Sequence, residues 1–170
     1  MTHATRRRLL LGSLATAALA GCGFQLRGAP SMPFQSIYLG TGEYSEITAA
    51  LRRQLEAGGT LVVNAPGEAQ VQLQVSRDTR AKNISSLSSA AQVREYTLFR
   101  YFDFRLVDHS GTEIAPTAKI VIRRTLTYNE NDLLAKEGEE QLLYKDMDSD
   151  LVRQVLRRLA AAKLTTAEKS

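Results

Sequence analysis

The sequence predicts an α+β fold: a two-layer sandwich in which one mixed, mostly antiparallel sheet carries two helices on one face. Three observations carry this expectation. Residues 70–76 (Gln-Val-Gln-Leu-Gln-Val-Ser) alternate strictly between polar and apolar, the period of a half-buried strand. Residues 92–107 and 119–128 continue as long strand patterns across a turn, which makes a meander. Residues 46–57 and 139–163 instead repeat apolar side chains at helical spacing.

The elements follow in chain order. Residues 34–39 (Phe-Gln-Ser-Ile-Tyr-Leu) read as a first strand ending at Gly40-Thr41-Gly42. Ser45 is an N-cap for a helix over 46–57, with Ile47, Leu51 and Leu55 on one stripe and Gly58-Gly59 as its stop. A short strand at 61–63 is broken by Pro66-Gly67. In the alternating stretch Val71, Leu73 and Val75 face a core, and the polar run 82–89 either continues that strand or forms a hairpin tip. The strand 92–107 gathers Tyr96, Phe99, Tyr101, Phe102 and Phe104, and Asp108-His109-Ser110-Gly111 turns it back. In the next strand Ile120, Ile122, Arg124, Leu126 and Tyr128 share one face, while Lys119, Val121, Arg123, Thr125 and Thr127 take the other. The closing helix, 139–163, buries Tyr144, Met147, Leu151, Val152, Val155 and Leu159, and residues 164–170 read as a disordered tail. The strands of this meander exceed the usual length of about 5–6 residues. They overrun their helices and leave edges and apolar faces for a partner.

Ahead of this single domain, 34–163, lies an export signal. Arg6, Arg7 and Arg8 precede an apolar run, 9–20, too short for the roughly 20 residues of a membrane span. The arginines also loosely resemble a twin-arginine export signal, which would change the route and not the destination. Leu19-Ala20-Gly21-Cys22 resembles a lipobox, so residues 1–21 are expected to be cleaved and Cys22 to become a lipidated first residue. Cleavage after Ala20 that leaves a free thiol is the alternative. No other cofactor is expected. By resemblance to such lipoproteins, many of which an Asp at this position retains in the inner membrane, Gly23 implies transfer to the outer membrane. Residues 22–33, with Pro30 and Pro33, form an extended spacer.

Composition narrows the function. One cysteine forbids an internal disulfide, and two histidines leave little for a metal site or a nucleophilic triad. The net charge of +4 belongs largely to the signal, since removing 1–21 takes away three arginines and leaves 19 basic against 18 acidic residues. A nucleic-acid partner thereby loses its compositional support. His109 between Asp108 and Ser110 is a turn residue, because sequence neighbours in a turn diverge and a triad needs an orienting group from across the fold. Asp146, Asp148 and Asp150 are spaced like part of a calcium loop but lack its glycine and later glutamate, and read as a solvated helix face. The aromatic strand reads as sheet core in preference to a base-stacking platform. The basic residues on the long strands, Lys82, Arg94, Arg100, Arg105, Lys119, Arg123 and Arg124, suit phosphate or carboxylate groups where alternation brings them onto a common face.

Residues 21–28, Gly-Cys-Gly-Phe-Gln-Leu-Arg-Gly, resemble the start of mature LptE, the lipopolysaccharide-assembly lipoprotein family. The likeness extends through Leu51-Arg52-Arg53-Gln54-Leu55, Arg94-Glu95-Tyr96, the segment 129–141 with Leu134-Ala135-Lys136, and Leu151-Val152-Arg153-Gln154-Val155. It implies a non-enzymatic outer-membrane lipoprotein that plugs the LptD β-barrel, helps assemble it, and binds lipopolysaccharide. The domain would then sit in the barrel lumen at the periplasmic face. Lys136, in the matching Leu-Ala-Lys segment, is the lipopolysaccharide contact carried over, with Arg123, Arg124, Arg94 and Lys82 as further candidates. The hairpin tip, where the family can place an arginine, reads Ser88-Ser89 here. The competing expectation is a periplasmic-facing lipoprotein that carries an amphipathic ligand without a barrel.

Overall fold

The computed structural model describes residues 31–41, 45–129 and 132–162. The signal, Cys22, most of the spacer, Lys163 at the expected end of the last helix and the tail 164–170 lie outside them. Among the described residues one five-stranded sheet contains all strands in the order β2-β1-β3-β4-β5. These are β1 (Ser36–Gly40), β2 (Leu61–Val63), β3 (Val71–Leu87), β4 (Val93–Asp108) and β5 (Glu113–Thr127). Helix α1 (Glu46–Ala57) crosses from β1 to β2, and α2 (Leu133–Ala160) closes the chain. The expected α+β fold with one mixed sheet and two helices is the fold observed: β1 pairs parallel with β2 and β3, whereas β3, β4 and β5 pair antiparallel.

Local chemistry sets these boundaries. The Ser45 hydroxyl accepts the Ile47 amide at 3.3 Å and opens α1. At the other end the Thr60 amide reaches back to the Leu55 carbonyl at 2.9 Å, a closure that needs the positive φ of 82° at Gly59. Gly40 is fixed by proximity, since a Cβ there would meet the Leu73 carbonyl oxygen at 2.7 Å and push β1 off β3.

The core fills the space between sheet and helices. Ile37, Leu73, Phe102, Phe104 and Ile120 from the strands meet Leu51, Leu55, Met147, Leu151, Val155 and Leu159 from the helices, all essentially buried. Bulges place the rest, two of them above all. In β3, Val75 faces Phe104 but Arg77 faces Asp103, so Ser76 is an extra residue and the side chains after it exchange faces. Asp78, Arg80 and Lys82 therefore lie on the helix side, where unbroken alternation would have put Arg77, Thr79 and Ala81. In the edge strand β5 a second irregularity falls between Ala115 and Ala118, around Pro116, which an edge bulge tolerates.

One boundary that the sequence left open and one that it misplaces have physical reasons. β3 runs through the polar stretch to Leu87, because cross-strand pairing with β4 carries it where side-chain burial does not. Helix α2 starts six residues before the expected residue 139; Leu133, Leu134 and Leu142 are exposed there, so no buried stripe marks its first turns. No helix among the described residues is long and apolar enough to cross a membrane.

Candidate functional site

The cations of the meander fall into two populations according to which face of the sheet they occupy. On the helix side, Arg100 is buried in mid-strand between Leu98 and Phe102. Its Nε donates to Asp148 at 2.7 Å, a second guanidinium nitrogen pairs with Asp78, and Nη1 donates to the carbonyls of Thr79 and Tyr101 at 3.2 and 3.1 Å. Asp148 also receives Arg80, whose guanidinium lies 4.9 Å from the centroid of the Tyr144 ring. Every buried polar side-chain atom among the described residues has a partner, which is the condition for tolerating such charges.

The same pattern continues outward. Arg124 donates to Asp146 at 3.1 Å and Asp150 at 2.6 Å. Its hydrogen bond, aided by Arg153, holds the Asp150 carboxyl below the usual carboxylate range, and the two carboxylates raise Arg124 in turn. Lys82 pairs with Glu140 at 2.5 Å and lies 4.3 Å from the centroid of the Tyr96 ring. Burial works to lower the Lys82 ammonium, but Glu140 outweighs it and the net shift is upward. Lys136 is held by Glu139 at 2.8 Å, one turn along α2. The three aspartates of α2 are thus the counter-charges of the sheet; Asp148, in particular, is buried and not a solvated face. Among the described residues no cluster of acidic, His or Cys side chains is arranged to hold a metal.

Among the described residues no helix lies over the opposite face of the sheet. Phe99 and Tyr101 stack there with centroids 5.7 Å apart and planes 7° from parallel. The Arg77 guanidinium lies 3.8 Å from the centroid of Tyr101, and Arg123 lies 5.7 Å from that of Phe99. The register Thr79–Tyr101–Val121 and Ala81–Phe99–Arg123 draws this ladder obliquely across three strands. Among the described residues Arg77 and Arg123 have no carboxylate partner; aromatic faces and, for Arg77, the Thr79 hydroxyl at 3.3 Å hold them. A cation over an aromatic face keeps most of its guanidinium edge free to donate to an anion.

The structure therefore divides the candidate cations. Lys82, Arg124 and Lys136 are engaged by carboxylates, and Arg123 is not. Arg123 and Arg124 point to opposite faces and do not converge. Arg94 is exposed near the β3–β4 turn, without an acidic partner among the described residues. The turn itself is closed by the Ser88 hydroxyl, which accepts the amides of Ala90 and Gln92 at 3.3 and 3.1 Å, with φ of 60° at Ala91. The aromatic strand is only half core: Phe102 and Phe104 are buried, whereas Phe99 and Tyr101 stand on the open face. Sequence reading missed Arg77, since only the Ser76 bulge sends it to that face. Odd and even positions of β4 carried the signal for Phe99 and Tyr101.

The chain matches the family model described as "LptE: Lipopolysaccharide-assembly" over residues 34–159. It is 30% identical to a protein named LPS-assembly lipoprotein LptE from Yersinia enterocolitica, with 95% of this chain and 80% of the relative aligned. A protein of the same name from Pectobacterium atrosepticum is also 30% identical, with 92% and 80% covered. Among solved structures, lipoprotein B from Nitrosomonas europaea superposes with a TM-score of 0.71 at 34% identity, covering 82% of this chain and 91% of that one. Rare lipoprotein B from Shewanella oneidensis gives 0.64 at 26% identity, with 74% and 94% covered.

Proposed function

The chain belongs to the LptE lipopolysaccharide-assembly family, and from that premise we propose that it seats as a plug in the LptD β-barrel and offers the open face of its meander to lipopolysaccharide. A role in lipopolysaccharide transport, without catalysis, is the family's. The single observation that carries the finer reading is the sorting of the sheet's cations: Arg80, Lys82, Arg100 and Arg124 on the helix side are neutralised by carboxylates, whereas Arg77 and Arg123, without a carboxylate partner among the described residues, stand on aromatic rings on the uncovered face. Lipid A phosphates need such donors, and the rings suit the apolar faces of sugars or acyl chains beside them.

Further features support the plug. The meander strands are 15 to 17 residues long, and the exposed Ile84, Leu87, Leu133, Leu134 and Leu142 cluster in sequence at the hairpin tip and the first turns of α2. That is apolar surface in want of cover. The near-neutral charge of the chain after its signal suits a polar lumen. Cys22 supplies the lipid anchor to the outer membrane in this account. A mature N-terminal peptide bearing an unmodified Cys22 would refute it.

Photo-crosslinking tests the plug. A photoreactive residue at Val121 on the open face and another at Leu134 should each give an adduct of barrel size in outer membranes. Adducts at neither position would refute lumen placement.

A further inference from the structure

A groove of about 1030 Å³ lies between α1 and α2, on the side of the helix layer away from the sheet's open face, and it takes no part in the proposal above. Its floor is apolar, formed by Ile47, Ala50, Val152 and Leu156. Arg53 rises on one wall and Lys145, Arg153 and Arg157 on the other. Arg153 is met by Asp150, but Arg53, Lys145 and Arg157 have no carboxylate partner among the described residues. Two carboxylates also line the groove. Asp148 is taken by Arg80 and Arg100, which leaves Glu46, at the start of α1, as the opposing charge.

Apolar floor and cationic walls match a molecule that joins an acyl chain to a phosphate. The position selects its source. Asp148 meets Arg80 and Arg100 at mid-sheet, and the remaining turns of α2 carry the chain beside α1 toward the end where Gln35 pairs with Leu61 and Gln70. The described chain begins at that same end, at Ser31. An extended tether from Cys22 to Ser31 reaches no more than about 30 Å, so the anchor at Cys22 on which the proposed function rests keeps the Arg53 and Arg157 end of the groove within reach of a bilayer surface. We propose that this groove docks an anionic phospholipid of the membrane to which the protein is tethered, with the phosphate between Arg53 and Arg157 and an acyl chain along Ala50, Val152 and Leu156. The contact would orient the domain on the membrane before or while it meets its barrel.

The test is calorimetric titration of the full chain, held in a neutral detergent, with dihexanoyl-phosphatidylglycerol and with dihexanoyl-phosphatidylcholine. The anionic lipid should bind, and the zwitterionic lipid of equal chain length should bind at least about tenfold more weakly, because it brings a cation of its own to the arginine walls. The double variant Arg53→Gln/Arg157→Gln should weaken the anionic lipid by about tenfold and leave lipopolysaccharide binding unchanged. Ala49→Trp, which fills the groove from an exposed helix position, should weaken both lipids and provides a second readout if the arginine variant does not fold. Equal affinity for the two lipids, or unchanged phosphatidylglycerol binding in both variants, overturns the proposal. So does capture of an acidic amphipathic peptide in the groove with no binding of the lipid. Loss of lipopolysaccharide binding in Arg77 and Arg123 variants with lipid binding intact would separate the two sites.

Discussion

The two faces of the meander use the same residue type for opposite purposes. Arg100 and Arg77 lie on neighbouring strands, yet Arg100 is enclosed by Asp78, Asp148 and two carbonyls while Arg77 rests on Tyr101 with its edge to solvent. Helix α2 makes the difference. Its middle turns, residues 140–150, supply Glu140, Asp146, Asp148 and Asp150 to Lys82, Arg124, Arg80 and Arg100, whereas no carboxylate is brought to Arg77 or Arg123 among the described residues. Charge on one face is internal structure; charge on the other is available for binding.

Substitutions test that contrast in order of expected size. Asp148→Ala strands Arg100 and Arg80 without their counter-ion, so it should lower unfolding free energy by about 3–5 kcal/mol, the usual cost of breaking a buried pair from one side. A shift in the urea midpoint of under a quarter of that would mean that water or Asp78 compensates. Arg124→Ala removes a half-exposed pair and should cost about 1 kcal/mol or less. Arg77→Ala, on the open face, should cost about 0.5 kcal/mol, the scale of an exposed cation over a ring. A larger loss in this variant than in Asp148→Ala would invert the account.

The smallest effect is a pH dependence. The folded-state value of Asp150 lies below its unfolded value because Arg124 holds the carboxylate. That contact contributes stability which is fully present above the unfolded pKa and is lost as pH falls through the lower folded one. The difference in urea stability between the parent chain and Arg124→Ala should therefore be constant near neutrality and shrink below about pH 4. A difference that grows in acid would contradict the pairing.

Much of the fold was legible because local signals agreed with burial. Ser45, the Ile47-Leu51-Leu55 stripe and Gly58-Gly59 define α1 to the residue, and strict alternation announces the start of β3. Legibility fails where pairing, not burial, determines the structure. The Ser76 bulge leaves no mark in a polar sequence, yet it decides that Arg80 and Lys82 face α2 and Arg77 does not. The first turns of α2 were hidden for a related reason, since their leucines remain exposed. For the candidate site, sequence alone supplied Lys82, Arg100, Arg123 and Arg124 but neither Arg77 and Arg80 nor any of their partners: Arg123 and Arg124 are neighbours in the chain and belong to different faces. The counter-charging role of Asp148 was invisible because its partner Arg100 is 48 residues away.

The most direct test compares equivalent changes on the two faces. Equilibrium binding of lipopolysaccharide to the full chain should fall by about tenfold or more in Arg77→Gln/Arg123→Gln, as expected for loss of two charge-assisted contacts. It should stay within about twofold in Lys82→Gln/Arg124→Gln, where the cations are already engaged by carboxylates. Equal losses from both faces, or a greater loss from the helix side, would contradict the claim that the open face is the binding face.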